Sequence, residues 1–239
     1  CDIGVKDGRI VAMAERLTDG TKSVDAAGTL VLPGGVDSHC HIEEPSPFGA
    51  VHEDSFITAS ASAFVGGTTS VVCFVPHWKG HGIWDRYQDY RRRGATGMLD
   101  HAFHQVIADP TDSVIEQEIP RVVAEGVRSL KVFLTYEPLH LGDREYLKVL
   151  VAARKNGCLV TVHCENYDAI GWRTEELLKA GLTAPKYHAW SRPSVVEREA
   201  THRAIALAEL VDQPIQIFHV SCAEAAEEIA RAQARGVKV

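Results

Sequence analysis

The chain has 239 residues, 45% hydrophobic and 24% charged, the composition of a globular protein with enough length for a sizeable core. Its formal charge of −7, with no basic run longer than the "RRR" of 91–93, weighs against nucleic acid as a partner. No apolar run approaches the roughly 18 residues of a membrane span, and nothing resembles a signal peptide.

Residues 1–31 read as β structure: "DIGVKD" and "RIVAMA" around a Lys-Asp-Gly turn, then "GTLVLP", a segment assigned to part of a small β-sandwich domain. From residue 32 onward the rhythm becomes strand, loop, helix. A first strand ends in "VLPGGVDSHCH", and "TTSVVCFVP" (68–76) is the second, with a helix over 83–93. "MLDHAFHQVI" (98–107) precedes a helix over 112–125, and "SLKVFLTY" (129–136) precedes one over 143–156. "CLVTVHCE" (158–165) is followed by helical segments near 166–181 and 194–212, the second opening on Pro193 with Ser194 and Glu197 at capping-box spacing. "PIQIFHV" (214–220) leads into a helix over 222–235. The opening without methionine, on "CDIGVKDGRIVAM", and the close on "ARGVKV", where a strand begins, suggest a piece of a longer polypeptide.

Six strand–helix units imply a parallel sheet, either doubly wound or part of a β/α barrel. No G-x-G-x-x-G or G-x-x-x-x-G-K-[ST] follows any strand, which removes the nucleotide signatures. Polar groups also sit late in four strands: His39 and His41, Lys131, His163, and His219. In a barrel those ends converge on one mouth, so 32–239 is assigned to an incomplete barrel. The six cysteines form no C-x-x-C pair and lie mostly in apolar runs, as reduced, buried thiols of a cytoplasmic protein do.

Residues i, i+2 and i+4 of a strand share a face, so Asp37, His39 and His41 point one way. Neutral imidazoles at that spacing suit zinc, with Asp37 either orienting a ligand or making a structural hydrogen bond. Lys131 lies among apolar neighbours, where it either snorkels to solvent or stays buried as a neutral amine. A neutral amine takes up carbon dioxide to give a carbamate, which can bridge two cations. His163 and His219 end successive strands at matching points and read as ligands. His101 and His104 are not a pair, because i, i+3 on a strand are on opposite faces; His52, His77, His81, His140, His188 and His202 read as structural.

Taken in order, "PGGVDSHCH", "SLKVFLTY", "VHCEN", "YHAWSRPSVVEREATHRAI" and "IFHVSCAEAAEEI" resemble the dihydropyrimidinase/hydantoinase branch of the cyclic amidohydrolases over essentially the whole chain. The resemblance implies a (β/α)8 TIM-type barrel beside a β-sandwich, and two divalent metal ions, zinc by expectation. His39 and His41 would hold one ion, His163 and His219 the other, with carboxylated Lys131 bridging both. Tyr136 would stabilise the oxyanion as a metal-bridging hydroxide opens the cyclic amide of a dihydropyrimidine or 5-substituted hydantoin. The acid/base, an aspartate on the last barrel strand, is expected beyond residue 239. The substrate would be a small cyclic ureide, and the family commonly forms tetramers. Neighbouring activities fit less well. Dihydroorotases follow H-x-H with an arginine, where Ile42, Glu43, Glu44 and Pro45 stand here, and allantoinases generally lack the tyrosine. A non-catalytic assembly protein of the same fold would have lost ligands, and all five expected in this span are present. Phe48 and Trp78 are candidates for the pocket wall.

Overall fold

The computed structural model describes residues 1–45, 49–50 and 52–239, so the pocket-wall candidate Phe48 lies outside the described residues. The chain divides into two compact units, Cys1–Gly34 and Gly35–Val239.

In the first unit, β1 (Asp2–Lys6) and β2 (Arg9–Ala14) form an antiparallel hairpin. Asp7 and Gly8 both take positive φ at its tip, as a tight two-residue hairpin turn demands. The strand expected from "GTLVLP" does not form. Among the described residues it has no strand to pair with, and Leu30, Val31 and Leu32 stand exposed.

The second unit carries a six-stranded sheet in sequence order, every pair parallel: β3 (Gly35–Cys40), β4 (Thr68–Val75), β5 (Asp100–Val106), β6 (Ser129–Phe133), β7 (Leu159–His163) and β8 (Ile215–Ile217). The connecting helices are α1 (Phe56–Val65), α2 (Trp84–Gly94), α3 (Ile119–Ala124), α4 (Asp143–Asn156), α5 (Tyr167–Lys179), α6 (Ser194–Leu210) and α7 (Ala223–Ala234). A short 3₁₀ segment, Pro185–Ser191, lies between α5 and α6.

Three local departures from the sequence expectation have physical causes. Helix α1 was not located by periodicity because "FITASASAFV" dilutes its apolar residues with Ser, Thr and Ala; reciprocal bonds between Ser55 and Thr58 cap it. The helix expected over 112–125 opens as a π-turn, Val114–Glu118, before becoming α3. Pro120 has no N–H to donate to the carbonyl four residues back, so the regular ladder is interrupted there. The capping box at Ser194 does not form either. Pro193 occupies the cap position, and Glu197 accepts from the Ser221 N–H at 2.7 Å instead.

Alternation along the strands sorts the sheet into two faces. One face, with Val71, Cys73, Val75, Phe103, Leu130, Val132, Val160, Val162 and Ile215, packs into the main core with the helices. The opposite face carries a small cluster of Phe74, Val106, Phe133 and Phe218, and Lys131, one turn of the pleat before Phe133, shares it. The sheet is strongly curled around this second face. Laid flat, its edge strands β3 and β8 would be about 24 Å apart, five strand spacings. Instead the rings of His39 and His219, from those two edges, are 5.2 Å apart.

Candidate metal centre

The curled face gathers the site. β3 carries His39, with His41 one residue past its end; β6 carries Lys131; β7 ends on His163; and His219 follows β8. Ring-centroid separations are 5.6 Å for His41–His39, 5.2 Å for His39–His219 and 4.4 Å for His219–His163. All four imidazoles therefore meet in one chain of neighbours, over a floor of Phe74 and Phe218 lying 4.8 and 4.4 Å from the His39 ring.

Lys131 settles between its two sequence readings: it does not snorkel. It is 1% exposed, and its Nζ has no hydrogen-bond partner. The amine lies among the Phe74, Phe133 and Phe218 rings, 4.6 Å from the last two centroids. Burial lowers its pKa to about 7, so at neutral pH a large share of it is a free amine. Burial, joined by the charge of Lys131 and of neighbouring imidazoles, also lowers His39 and His219 to about 4, and His163 below its ordinary value. These three imidazoles are thus held neutral, with lone pairs free to bind a cation.

Individual side chains of the site have local supports. His163 Nε2 bonds Glu165 Oε2 at 2.7 Å, and Arg192 Nε lies 3.4 Å from the other carboxylate oxygen. Burial opposes ionisation of Glu165, yet the bond and charge of His163, with Arg192 and His219, hold its carboxyl below the usual range. A carboxylate on Nε2 leaves Nδ1 of His163 as the ring's lone pair. Glu165 was missed in the sequence although it stands at i+2 from His163. Asp37 takes the structural option: its Oδ1 accepts from the His39 backbone N–H at 2.9 Å. His104 is buried, with Nδ1 near Ser129 Oγ and Nε2 2.9 Å from the Ser38 carbonyl, so it ties β5 to both β6 and β3.

Tyr136 sits over the same mouth, its ring 4.9 Å from that of His163. Its φ is +66°, an unfavourable region for an aromatic residue, and His219 shares the feature at +41°. The Tyr136 turn is fixed by its carbonyl, which accepts from the N–H groups of Leu139 and His140, both at 2.8 Å. Burial raises the phenol pKa, assisted by Glu165, which keeps the hydroxyl a donor.

Other candidates lie elsewhere. Trp78 lines a separate cleft of about 540 Å³ with His77, Trp84 and Glu118, and none of the site residues borders it. His77 is buried with both ring nitrogens engaged, on the His81 carbonyl and the Ala108 N–H, and is structural. The six cysteines are all free, but only Cys73, Cys158 and Cys164 are buried; Cys1 is exposed and Cys40 and Cys222 are intermediate. No helix among the described residues is long and apolar enough to cross a membrane.

No protein-family model matches the chain. A D-hydantoinase of Ralstonia pickettii is 43% identical over 239 residues, covering 99% of this chain and 52% of the relative. A dihydropyrimidinase of Arabidopsis thaliana is 34% identical over 241 residues, covering all of this chain and 45% of the relative. Among solved structures, a D-hydantoinase superposes with a TM-score of 0.93 at 42% identity, over 99% of this chain and 52% of its own.

The chain is a homologue of hydantoinases and dihydropyrimidinases over essentially its whole length.

It spans about half the length of the curated relatives it matches. The family's fold identifies the curled sheet as six units of a (β/α)8 barrel, with the site at the C-terminal ends of the strands where such barrels place theirs. As the side chains stand, no three His, Cys, Asp or Glu among the described residues form a ready cage for a metal ion. The donor set is nevertheless suited to one. Four imidazoles share one face of the curled sheet with a buried amine that has no partner, and a carbamate on that amine would give the missing oxygen ligands.

Proposed function

We propose that this chain carries most of the active site of a metal-dependent hydrolase that opens the cyclic amide of dihydropyrimidines or 5-substituted hydantoins. The observation that carries the reading is Lys131, unpartnered and 1% exposed beneath a chain of four imidazoles from three strand ends. A bare ammonium there is costly, and a carbamate ligating cations removes the cost. His39 and His41 would hold one divalent ion, His163 and His219 the other, with carboxylated Lys131 between them; zinc suits the imidazole donors. When bound, such ions lower the pKa of water and polarise the amide carbonyl.

The chain's own residues then do the following. The floor of Phe74, Phe133 and Phe218 keeps bulk water from the base of the site and strengthens its electrostatics. Tyr136, held protonated and fixed by its turn, donates from Oη to the oxygen on which negative charge develops. Glu165, braced by Arg192, holds the ring of His163.

We further assign residues 1–31 to part of a small β-sandwich domain, the location to the cytoplasm, which the free thiols support, and the assembly to a tetramer, on the family resemblance. Metal analysis and a ring-opening assay on the complete gene product, with dihydrouracil and a 5-substituted hydantoin, test the reading. Turnover that chelation abolishes and zinc restores is expected; ring opening indifferent to chelation would reject it.

A further inference from the structure

We propose that Glu44 is a positioning residue of the metal centre. Its carboxylate selects the tautomer and fixes the ring of His41, so that Nε2 is the nitrogen offered to a cation. The inference rests on the metal-centre reading above and adds a residue to it.

The geometry begins at His41, which leaves β3 with its side chain 42% exposed. A half-exposed imidazole is free to rotate and to carry its proton on either nitrogen. Two contacts remove that freedom. The ring stacks on Phe74, with centroids 4.5 Å apart and planes at 21°. A Glu44 carboxylate oxygen then bonds Nδ1. An ionised carboxylate only accepts, so the proton of that bond belongs to Nδ1, and Nε2 keeps its lone pair.

Glu44 is held in place by its neighbour. Glu43 has φ +53°, a left-handed turn that doubles the chain back beside His41. Such a conformation persists where its surroundings over-determine it. Here the Phe56 N–H donates to Glu43 Oε2 at 3.0 Å, Arg93 Nη1 lies 3.4 Å from Oε1, and the Tyr90 hydroxyl donates to the Glu43 carbonyl at 3.1 Å. The turn is thus tied to both α1 and α2. Across the site, Glu165 does the reciprocal thing to His163, taking Nε2 and leaving Nδ1. Both halves of the centre therefore pair one imidazole with a carboxylate, on opposite ring nitrogens.

Support of this kind is worth about 10- to 100-fold in metal affinity. The test is zinc competition against a chelator on the complete gene product, with 15N imidazole spectra of the metal-free protein. Glu44→Gln is expected to weaken one of the two zinc ions by about 10- to 100-fold and leave the other unchanged. Glu44→Asp is expected to recover part of the loss. In metal-free wild type, His41 is expected as the Nδ1–H tautomer. Glu44→Gln that keeps both ions at wild-type affinity would overturn the proposal. If that variant does not fold, an Nε2–H tautomer of His41 in wild type would overturn it equally. Wild type that binds no zinc would reject the metal-centre reading itself, a distinguishable failure.

Discussion

His39 and His41 come from one strand end, two residues apart, whereas His163 and His219 come from different strands and meet because β7 pairs with β8. The first pair ends at the rim, where the His41 side chain is 42% exposed and depends on the Glu43–Glu44 turn. In the second, the His163 side chain is 12% exposed and is braced by Glu165 and Arg192, while His219 is exposed. Lys131 lies beneath both pairs and lowers His39, His163 and His219 through its charge, after burial. One half of the centre is a local motif and the other a product of topology, and the lysine is the element they share.

The largest effect should come from removing that shared element. Lys131→Ala in the complete gene product is expected to lose most bound metal from both halves, and ring opening with it. Metal content by atomic emission beside the activity assay checks this; loss from one half alone would break the picture of a bridge. Next in size is Tyr136→Phe. Loss of one oxyanion donor costs about 100- to 1000-fold in kcat, and metal content should not change. A variant with wild-type kcat would take Tyr136 out of the chemistry.

Glu165→Gln sharpens the comparison itself. It should weaken the ion held by His163 and His219 by about 10- to 100-fold and spare the ion held by His39 and His41. Chelator competition with two resolved phases reads the difference, and equal weakening of both phases would deny that the halves are separately braced. Lys131→Met should act oppositely on fold and function. It replaces a buried amine without a partner, so the metal-free protein should gain about 1–3 kcal/mol by urea denaturation while metal binding is lost.

The smallest effect concerns a histidine outside the site. Burial lowers the pKa of His77 below its ordinary 6.5, so between the two values the unfolded chain binds more protons. Its contribution is fully present above about pH 6.5 and is lost as pH falls through the folded value. His77→Gln should flatten that part of the stability–pH curve in the metal-free protein. An unchanged slope would show that His77 titrates alike in both states.

The sequence disclosed the local half of this design and left the rest to packing. His39 and His41 were legible because alternation on one strand is a two-residue pattern, and the strand order was legible because each βα unit repeats one rhythm. Lys131 was visible only as an anomaly in "SLKVFL"; that it is buried depends on Phe74, Phe133 and Phe218 from three strands, which no local window contains. Glu165 could have been found from its i+2 relation to His163. Glu44 could not, because its approach to His41 requires the positive φ of Glu43 and ties to Phe56, Tyr90 and Arg93 far along the chain. The expected strand at "GTLVLP" had the right composition but no partner strand among the described residues, and pattern alone cannot supply one.

The central claim is that the Lys131 amine becomes a carbamate ligating both halves of the centre. The direct measurement is 13C NMR of the complete gene product reconstituted with zinc in the presence of 13C-labelled bicarbonate. A single protein-bound carbamate carbon is expected, dependent on zinc and absent from Lys131→Ala. Zinc-loaded, active protein that shows no carbamate carbon would contradict it.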